Sequence, residues 1–394
     1  MRKSINTLTP TQVYRYALQV FQPTLKLRDT KNVSRSMILT VLFAAVARIT
    51  SLSDTCRRLR GIPDEHAIAT ALYSCLPDFA TLKRQVQAAM AGLLPKALRR
   101  RPLIVALDMT LIPYYGADAR TNPHVYRSQP KRGTSSFYAY ASAYLVRHGQ
   151  RYTVALTPVF RGQALGETVR ELLAQVRKAG VQVRLLVVDR EFYTVETIRY
   201  FQAARYPFVM PVVAHGRSAS HPMGPSGSQV FKQGKRSGWT HDTLSNAQKR
   251  KATVMVCVKC RNRRGERGKK GREALVYACW GIGRKDYDWV RGTYRKRFGI
   301  ETSYRQMNQC RIRTTTRRFD VRYLYVAIGF LLRNVWVWLH HEVLSTPRRG
   351  GPQYQLGRLR LRTMLLWLQE VAVELYGLEK TVLIEKQPPS LITT

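Results

Sequence analysis

Leu103-Ile104-Val105-Ala106-Leu107-Asp108 is an apolar run that closes on an acid, and Leu185-Leu186-Val187-Val188-Asp189 repeats that form later in the chain. Short, continuous apolar runs of this kind read as strands buried on both faces. An acid at the end of such a strand stands where a buried sheet meets its ligands. A third acid, Glu301, lies in a basic, aromatic stretch of helical character from Tyr294 to Arg311. Carboxylates brought together from two strand ends and one helix can hold two divalent cations.

Outward from the first run the texture is that of strands. Phe137 to Val146 and Tyr152 to Phe160 follow, separated by the hairpin turn Arg147-His148-Gly149-Gln150. Glu167 to Lys178 is an amphipathic helix closed by Gly180, Val183 to Asp189 a strand, Thr194 to Ala204 a helix, and Pro207 to Val213 a strand. The order β-β-β-α-β-α-β predicts an antiparallel meander followed by α/β crossovers, the element order of a ribonuclease H-like core. The expected fold class is therefore α/β: a ribonuclease H-like mixed sheet flanked by helices, interrupted by a β-rich insertion and preceded by a helical N-terminal domain.

Residues 1–98 read as helical. Ser34 to Arg48 is apolar at helical spacing, and Ser53 to Leu59 fits a second, short helix. Gly61 suits a helix stop, Pro63 blocks continuation, and Asp64 can cap the next helix. This is a helix-turn-helix pattern, and it predicts a DNA-binding region. Residues 99–204 form the first part of the core and 205–285 the insertion. Within the insertion, 214–250 reads as a long loop, while Thr253 to Lys259 and Ala274 to Trp280 read as strands. The stretch Lys259 to Arg272 holds eight basic residues and one acid. So many neighbouring cations repel one another without a counter-charge, which assigns Arg263, Arg264, Lys269 and Lys270 to a nucleic-acid backbone. Residues 286–345 return to the core, with helices over 286–311 and Val321 to Leu344, and 346–394 form a helical tail.

The chain has 394 residues, 45% of them hydrophobic, so it is globular and large enough for a full core. Its 66 Lys and Arg against 24 Asp and Glu leave a formal charge of +42. Such self-repulsion calls for a polyanionic partner. No long charge-free apolar segment speaks for a membrane. Tyr325 to Leu339 is short and interrupted by Arg333 and Asn334, so it reads as a buried helix. Met1-Arg2-Lys3-Ser4 lacks a signal peptide's apolar stretch, and the expected location is cytoplasmic, at the nucleoid. Cys257-x2-Cys260 has the spacing of a zinc pair, but within a strand these thiols point to different faces.

Hard oxygen ligands suit magnesium, for which manganese can substitute, and two such ions roughly 4 Å apart can drive an in-line displacement at phosphorus. Tyr294, Arg297, Glu301 and Tyr304 recur at helical spacing, and Arg305 and Asn308 continue their face. On that face the acid takes metal, the arginines take phosphate oxygens, and the tyrosines contact the backbone or stack on a base.

Tyr294-x2-Arg297-x3-Glu301 resembles the helix motif of DDE insertion-sequence transposases, in the branch with a β-rich insertion before the Glu. Val188-Asp189-Arg190-Glu191-Phe192-Tyr193 resembles that branch's second-Asp motif. Leu107-Asp108-x-Thr110 with Ile112-Pro113-Tyr114-Tyr115-Gly116 resembles its first. Arg313-Thr314-Thr315-Thr316, followed by an apolar Trp-rich helix, is also similar. The resemblance covers about 100–345. It departs at Asn308, where the family often has Lys or Arg. Arg305, Arg311 and Arg313 are the candidates for that lost phosphate contact. The resemblance implies a DNA transposase with Asp108, Asp189 and Glu301 as catalytic metal ligands and two magnesium ions per site. It implies binding of element ends carrying inverted repeats, cleavage there, and transfer into target DNA, usually as a homodimer in the synaptic complex. Tyr294, Arg297, Tyr304 and Arg305 would position the DNA. Two other classes share these residues: a metal-dependent nuclease of the same fold that cuts without joining, and a domesticated DNA-binding protein.

Overall fold

The computed structural model describes residues 7–147, 149–233, 236–262, 271–297, 299, 306–349, 351–379 and 381. Six helices come first: α1 (Pro10–Thr24), α2 (Arg35–Arg48), α3 (Leu52–Arg58), α4 (Glu65–Cys75), α5 (Phe79–Gly92) and the single turn α6 (Lys96–Arg99). The core then runs β1 (Leu103–Pro113), β2 (Tyr126–Lys131), β3 (Thr134–Leu145), β4 (Thr153–Val159), α7 (Leu165–Lys178), β5 (Val183–Val188), α8 (Val195–Ala203) and β6 (Phe208–Pro211). After it come β7 (Gly238–Ser245), β8 (Lys251–Asn262), β9 (Arg272–Trp280), α9 (Tyr287–Arg295), α10 (Phe319–Trp338) and α11 (Leu361–Tyr376).

One mixed sheet holds all nine strands, in the order β2-β3-β1-β5-β6-β9-β8-β7, with β4 also paired to β3. β1, β3 and β4 form the antiparallel meander, and β5 and β6 lie parallel to β1. This is the ribonuclease H-like order expected from the sequence. The insertion extends the sheet: β9 pairs antiparallel with β6, and β8 and β7 follow. β6, which a boundary at 205 gives to the insertion, is hydrogen-bonded to β5 and belongs to the core. β7 lies in the stretch expected to be a loop. Its pattern is mostly polar because it is an edge strand with little buried surface.

The two faces of the sheet are unequal. Val105, Leu107, Leu186, Val188 and Phe208 join a large core shared with α2, α5, α7, α10 and α11. Ile104, Ala106, Leu185, Val187 and Val209 point the other way, into a small cluster closed by Val290 and Tyr294 of α9. Side chains alternate along a strand, so Asp108 and Asp189 fall on this second face, the face of α9.

The N-terminal helices are capped by Ser34, Ser51, Asp64 and Asp78, each of which accepts a backbone N–H from its own first turn. Every residue of α2 from Ile38 to Ala47 is buried, which ties this region into the common core. Gly61 is not a left-handed stop. Its N–H donates to Tyr376 O at 2.7 Å, and an added Cβ would meet that same oxygen at 3.0 Å. The turn between α3 and α4 is thus clamped to the end of α11, where Leu59 also bridges to Leu378.

α10 is apolar nearly all round, as a helix buried in a large core must be. The Arg333-Asn334 pair that interrupts its apolar run is buried and bonded. Asn334 Nδ2 donates to Thr153 O at 2.7 Å, and Thr153 N donates to Asn334 Oδ1 at 3.0 Å. One side-chain amide therefore completes the hydrogen bonding at the start of β4 as a neighbouring strand would. Replacing Asn334 by Leu strands a buried N–H and a buried C=O, and unfolding free energy should fall by about 2–4 kcal/mol. Urea denaturation checks this, and a loss below roughly 0.5 kcal/mol would show the bonds to be dispensable.

Candidate active site

β1 outruns β5, and that mismatch creates the site. The parallel register pairs Ala106 with Val187 and Leu107 with Val188, and Asp189 N then donates to Leu107 O at 3.1 Å. β5 stops there. β1 continues to Pro113, pairing only with β3. Asp108 is thus not the end of its strand, as the sequence pattern suggested. It is the first residue of β1 without a β5 partner, beside Asp189 in register. Carboxyl ends of parallel strands are where open α/β sheets bind their ligands.

Asp108 is buried, with 6% of its surface exposed. Its Oδ1 accepts Met109 N at 2.8 Å, and its Oδ2 accepts Arg297 Nη1 at 2.8 Å. The other arm of the same guanidinium, Nη2, lies 3.4 Å from Asp189 Oδ1. One buried cationic group therefore contacts both acids. Burial pushes the Asp108 carboxyl up to about 7; Arg297 opposes this, and Asp189 and Glu191 add to it. Glu191, in the turn after Asp189, is raised by burial and then by Asp189, against Lys131, whose Nζ is 3.9 Å from it. Its Oε2 is buried without a hydrogen-bond partner among the described residues. Carboxylate oxygens are the donors a hard divalent cation takes, but among the described residues no group of three or more His, Cys, Asp or Glu is placed to hold one.

The elements explain why Arg297 arrives there. Asp286 caps α9 by accepting from the N–H groups of Asp288 and Trp289. Val290, Thr293 and Tyr294 form the buried face of α9. Tyr294 packs on Tyr277 of β9 with ring centroids 5.3 Å apart, and the Arg297 guanidinium lies 5.3 Å from the Tyr294 ring centre. α9 ends at Arg295, Arg297 N donates to Tyr294 O in the closing turn, and Gly299, Gln306 and Met307 are helical again within the stretch expected to be helix. Sequence reading gave Tyr294 and Arg297 to the DNA backbone. In the structure both are buried, and Arg297 faces the acids. Glu301, Tyr304, Arg305, Arg263, Arg264, Lys269 and Lys270 lie outside the described residues.

The residues that bracket the Glu301 segment are anchored. Tyr144 hydroxyl donates to Gly299 O at 3.3 Å, and Arg333 Nε donates to Gln306 Oε1 at 3.0 Å. Arg333 is itself 2% exposed and donates to Tyr144 and to Arg151 O. Tyr144 pairs with Ala106 across the sheet, two residues from Asp108. Arg333 was read only as an interruption of a buried helix. Its signal was the charge itself, since a buried arginine has to be holding something.

A cavity of about 320 Å³ is lined by the part of β1 that runs beyond β5, with residues of β3 and α10. Met109 and Thr110 form one wall, and Met307, Asn308, Arg311 and Arg313 another. Asn308, where a basic residue was expected, is thus at the cavity with two arginines close in sequence. Arg132 also lines it, from the tip of the β2–β3 hairpin. The sequence reading missed that hairpin, because β2 is polar, carries Pro130 and sits at a sheet edge.

No curated protein matches this chain. Its fold is similar to that of the cryo-EM structure titled as the piggyBac transposase synaptic complex with hairpin DNA, with a TM-score of 0.55 and 13% identity over 96% of this chain and 82% of that one. The pattern of the Transposase DDE domain family matches residues 99–335, the span from the start of β1 almost to the end of α10. That match takes in both acids, Arg297 and more than half of the chain, and the chain belongs to the DDE-domain transposase family.

Proposed function

We propose that this chain is a DNA transposase that cleaves the ends of an insertion element and joins the freed 3′-hydroxyls to target DNA. The observation that carries the reading is the pair of in-register carboxylates at the β1–β5 boundary, both touched by one buried cationic group. Asp108, Asp189 and Glu301 would hold two magnesium ions, or manganese in their place. When bound, such ions lower the pKa of the attacking oxygen, steady the departing one and offset phosphate charge. Cleavage and joining are one displacement with different nucleophiles. Water attacks the phosphorus first and the strand leaves as a 3′-hydroxyl; that hydroxyl then attacks a target phosphate and another 3′-oxygen leaves.

The chain's own residues prepare this. Arg297 contacts both acids and opposes the burial that raises the Asp108 pKa. Tyr294 fixes the guanidinium by stacking. Arg333 and Tyr144 anchor the residues that flank the Glu301 segment. The DNA itself would lie against the basic surface, with the 259–272 hairpin and the helical region of 1–98 as further contacts. The synaptic unit would be a homodimer.

Asp189→Asn should lower cleavage of element-end DNA by more than a thousandfold, on the order of the loss of one essential charged group. DNA affinity should stay within about twofold, since the charge change is one among many. Gel-based cutting and strand-transfer assays on the DNA flanking the gene check it; retained cutting would remove Asp189 from the mechanism, and cutting without joining would reduce the protein to a nuclease. Arg297→Gln leaves buried Asp108 and half-buried Asp189 without their cation, so metal-free stability should fall by roughly 3 kcal/mol. Millimolar manganese should then raise the melting temperature of this variant more than that of the wild type. Equal shifts would show that Arg297 and the ion do not share a seat.

A further inference from the structure

Arg132, Arg311 and Arg313 come together at the mouth of the cavity beside β1. They line a second, open groove of about 440 Å³ with Asn308, Thr314 and Ile49. Arg311 is half-buried, and burial first, then Arg132 and Arg313, lower its pKa. None of the three guanidinium groups has an ion-pair or hydrogen-bond partner among the described residues. The cations of the α3–α4 turn differ: Arg57 pairs with Glu65, Arg58 with Asp54 and Arg60 with Glu379. Three crowded cations, one of them half-buried, are costly unless an anion joins them.

The frame holds them together at some expense. Arg132 and Gly133 are the two central residues of the hairpin between Lys131 and Thr134, with φ of 53° and 78°. Two positive φ values make a type I′ turn, whose first central position favours Asn, Asp or Gly. Arginine there costs about 1 kcal/mol or more. On the other wall, Arg313 N donates to Thr50 O at 2.9 Å, just after Ile49, which is itself left-handed with φ 56°. Arg322 pins the same segment by donating to Thr314 O and Thr316 O, and stacks on Tyr138. Tyr140, which also lines the cavity, is 1% exposed, and its hydroxyl has no hydrogen-bond partner among the described residues. Three guanidinium groups without a partner among the described residues, gathered on one groove, form a site for an oxyanion.

We propose that Arg132, Arg311 and Arg313 seat a backbone phosphate of bound DNA beside the part of β1 that runs beyond β5. This rests on the transposase reading and gives it a second point of DNA attachment, next to Asp108 in the chain through Met109 and Thr110. The seat replaces the charge missing at Asn308 with cations from two other directions. One comes from the β2–β3 hairpin and two come from the segment tied to the N-terminal helices.

The test is the affinity of the full chain for a labelled duplex taken from the flank of its gene, measured across a salt series for the wild type, Arg132→Asn, Arg311→Gln and Arg313→Gln. Each substitution should weaken binding by roughly tenfold, the worth of a charge-assisted hydrogen bond, and lower the slope of log affinity against log salt by about 0.9. Arg132→Asn should melt no lower than the wild type, because Asn suits the turn; a merely structural arginine would not separate stability from affinity in this way. Unchanged affinities and slopes in all three variants would overturn the seat while leaving the transposase reading intact. Failure of the wild type to bind any DNA would overturn that reading and the seat with it. Stabilisation of the wild type by inorganic phosphate that is lost in the variants, with DNA binding unmoved, would assign the site to a free anion and overturn the DNA assignment.

Discussion

The structure turns on one shared charge: a single arginine, Arg297, held between Asp108 and Asp189. Neither acid is affordable alone in that position. Asp108 is buried, Asp189 stands beside it in register, and Glu191 adds a third negative group with an orphaned oxygen. Burial and mutual repulsion both favour protonation, and the guanidinium is what opposes them. In the proposed function a divalent ion would take over that opposing role when DNA is bound.

The fold exists to set that geometry. Parallel pairing of β1 with β5 aligns the two acids, and the stop of β5 at Val188 uncovers the remaining edge of β1. The insertion matters because it widens the sheet. β9 supplies Tyr277, on which Tyr294 packs, and so it places α9 over the acid face. The N-terminal helices and α11 thicken the opposite face into one continuous core. Through Thr50 and Arg313 they also reach the groove lined by Arg132 and Arg311. The N-terminal helices and the segment after the core's insertion therefore share a wall of that groove.

Much of this was legible in the residues. β1, β3, β4 and β5 are buried on both faces and announce themselves as apolar runs, so the ribonuclease H-like order and the positions of Asp108 and Asp189 could be read directly. β2 and β7 were not legible, because an edge strand carries little buried surface and its polar pattern resembles a loop. The partnership of Arg297 was also hidden. Charge and spacing mark it as a phosphate ligand, but its contact with Asp108 spans 189 positions in the chain and depends on α9 ending at Arg295. Arg132 was lost with its hairpin. Asn334 looked like a flaw in an apolar helix until Thr153 supplied its partners. In each case tertiary contact decided the role, and local propensity could not see it.

The most direct measurement of the central claim is a manganese titration of the protein by paramagnetic resonance, in the wild type and in the Asp108→Asn and Asp189→Asn variants, with DNA present. If the two acids hold ions in common, either substitution should remove tight manganese binding, and neither should leave one wild-type site behind. Retention of full, tight binding in both variants would contradict a shared cation seat at the β1–β5 boundary.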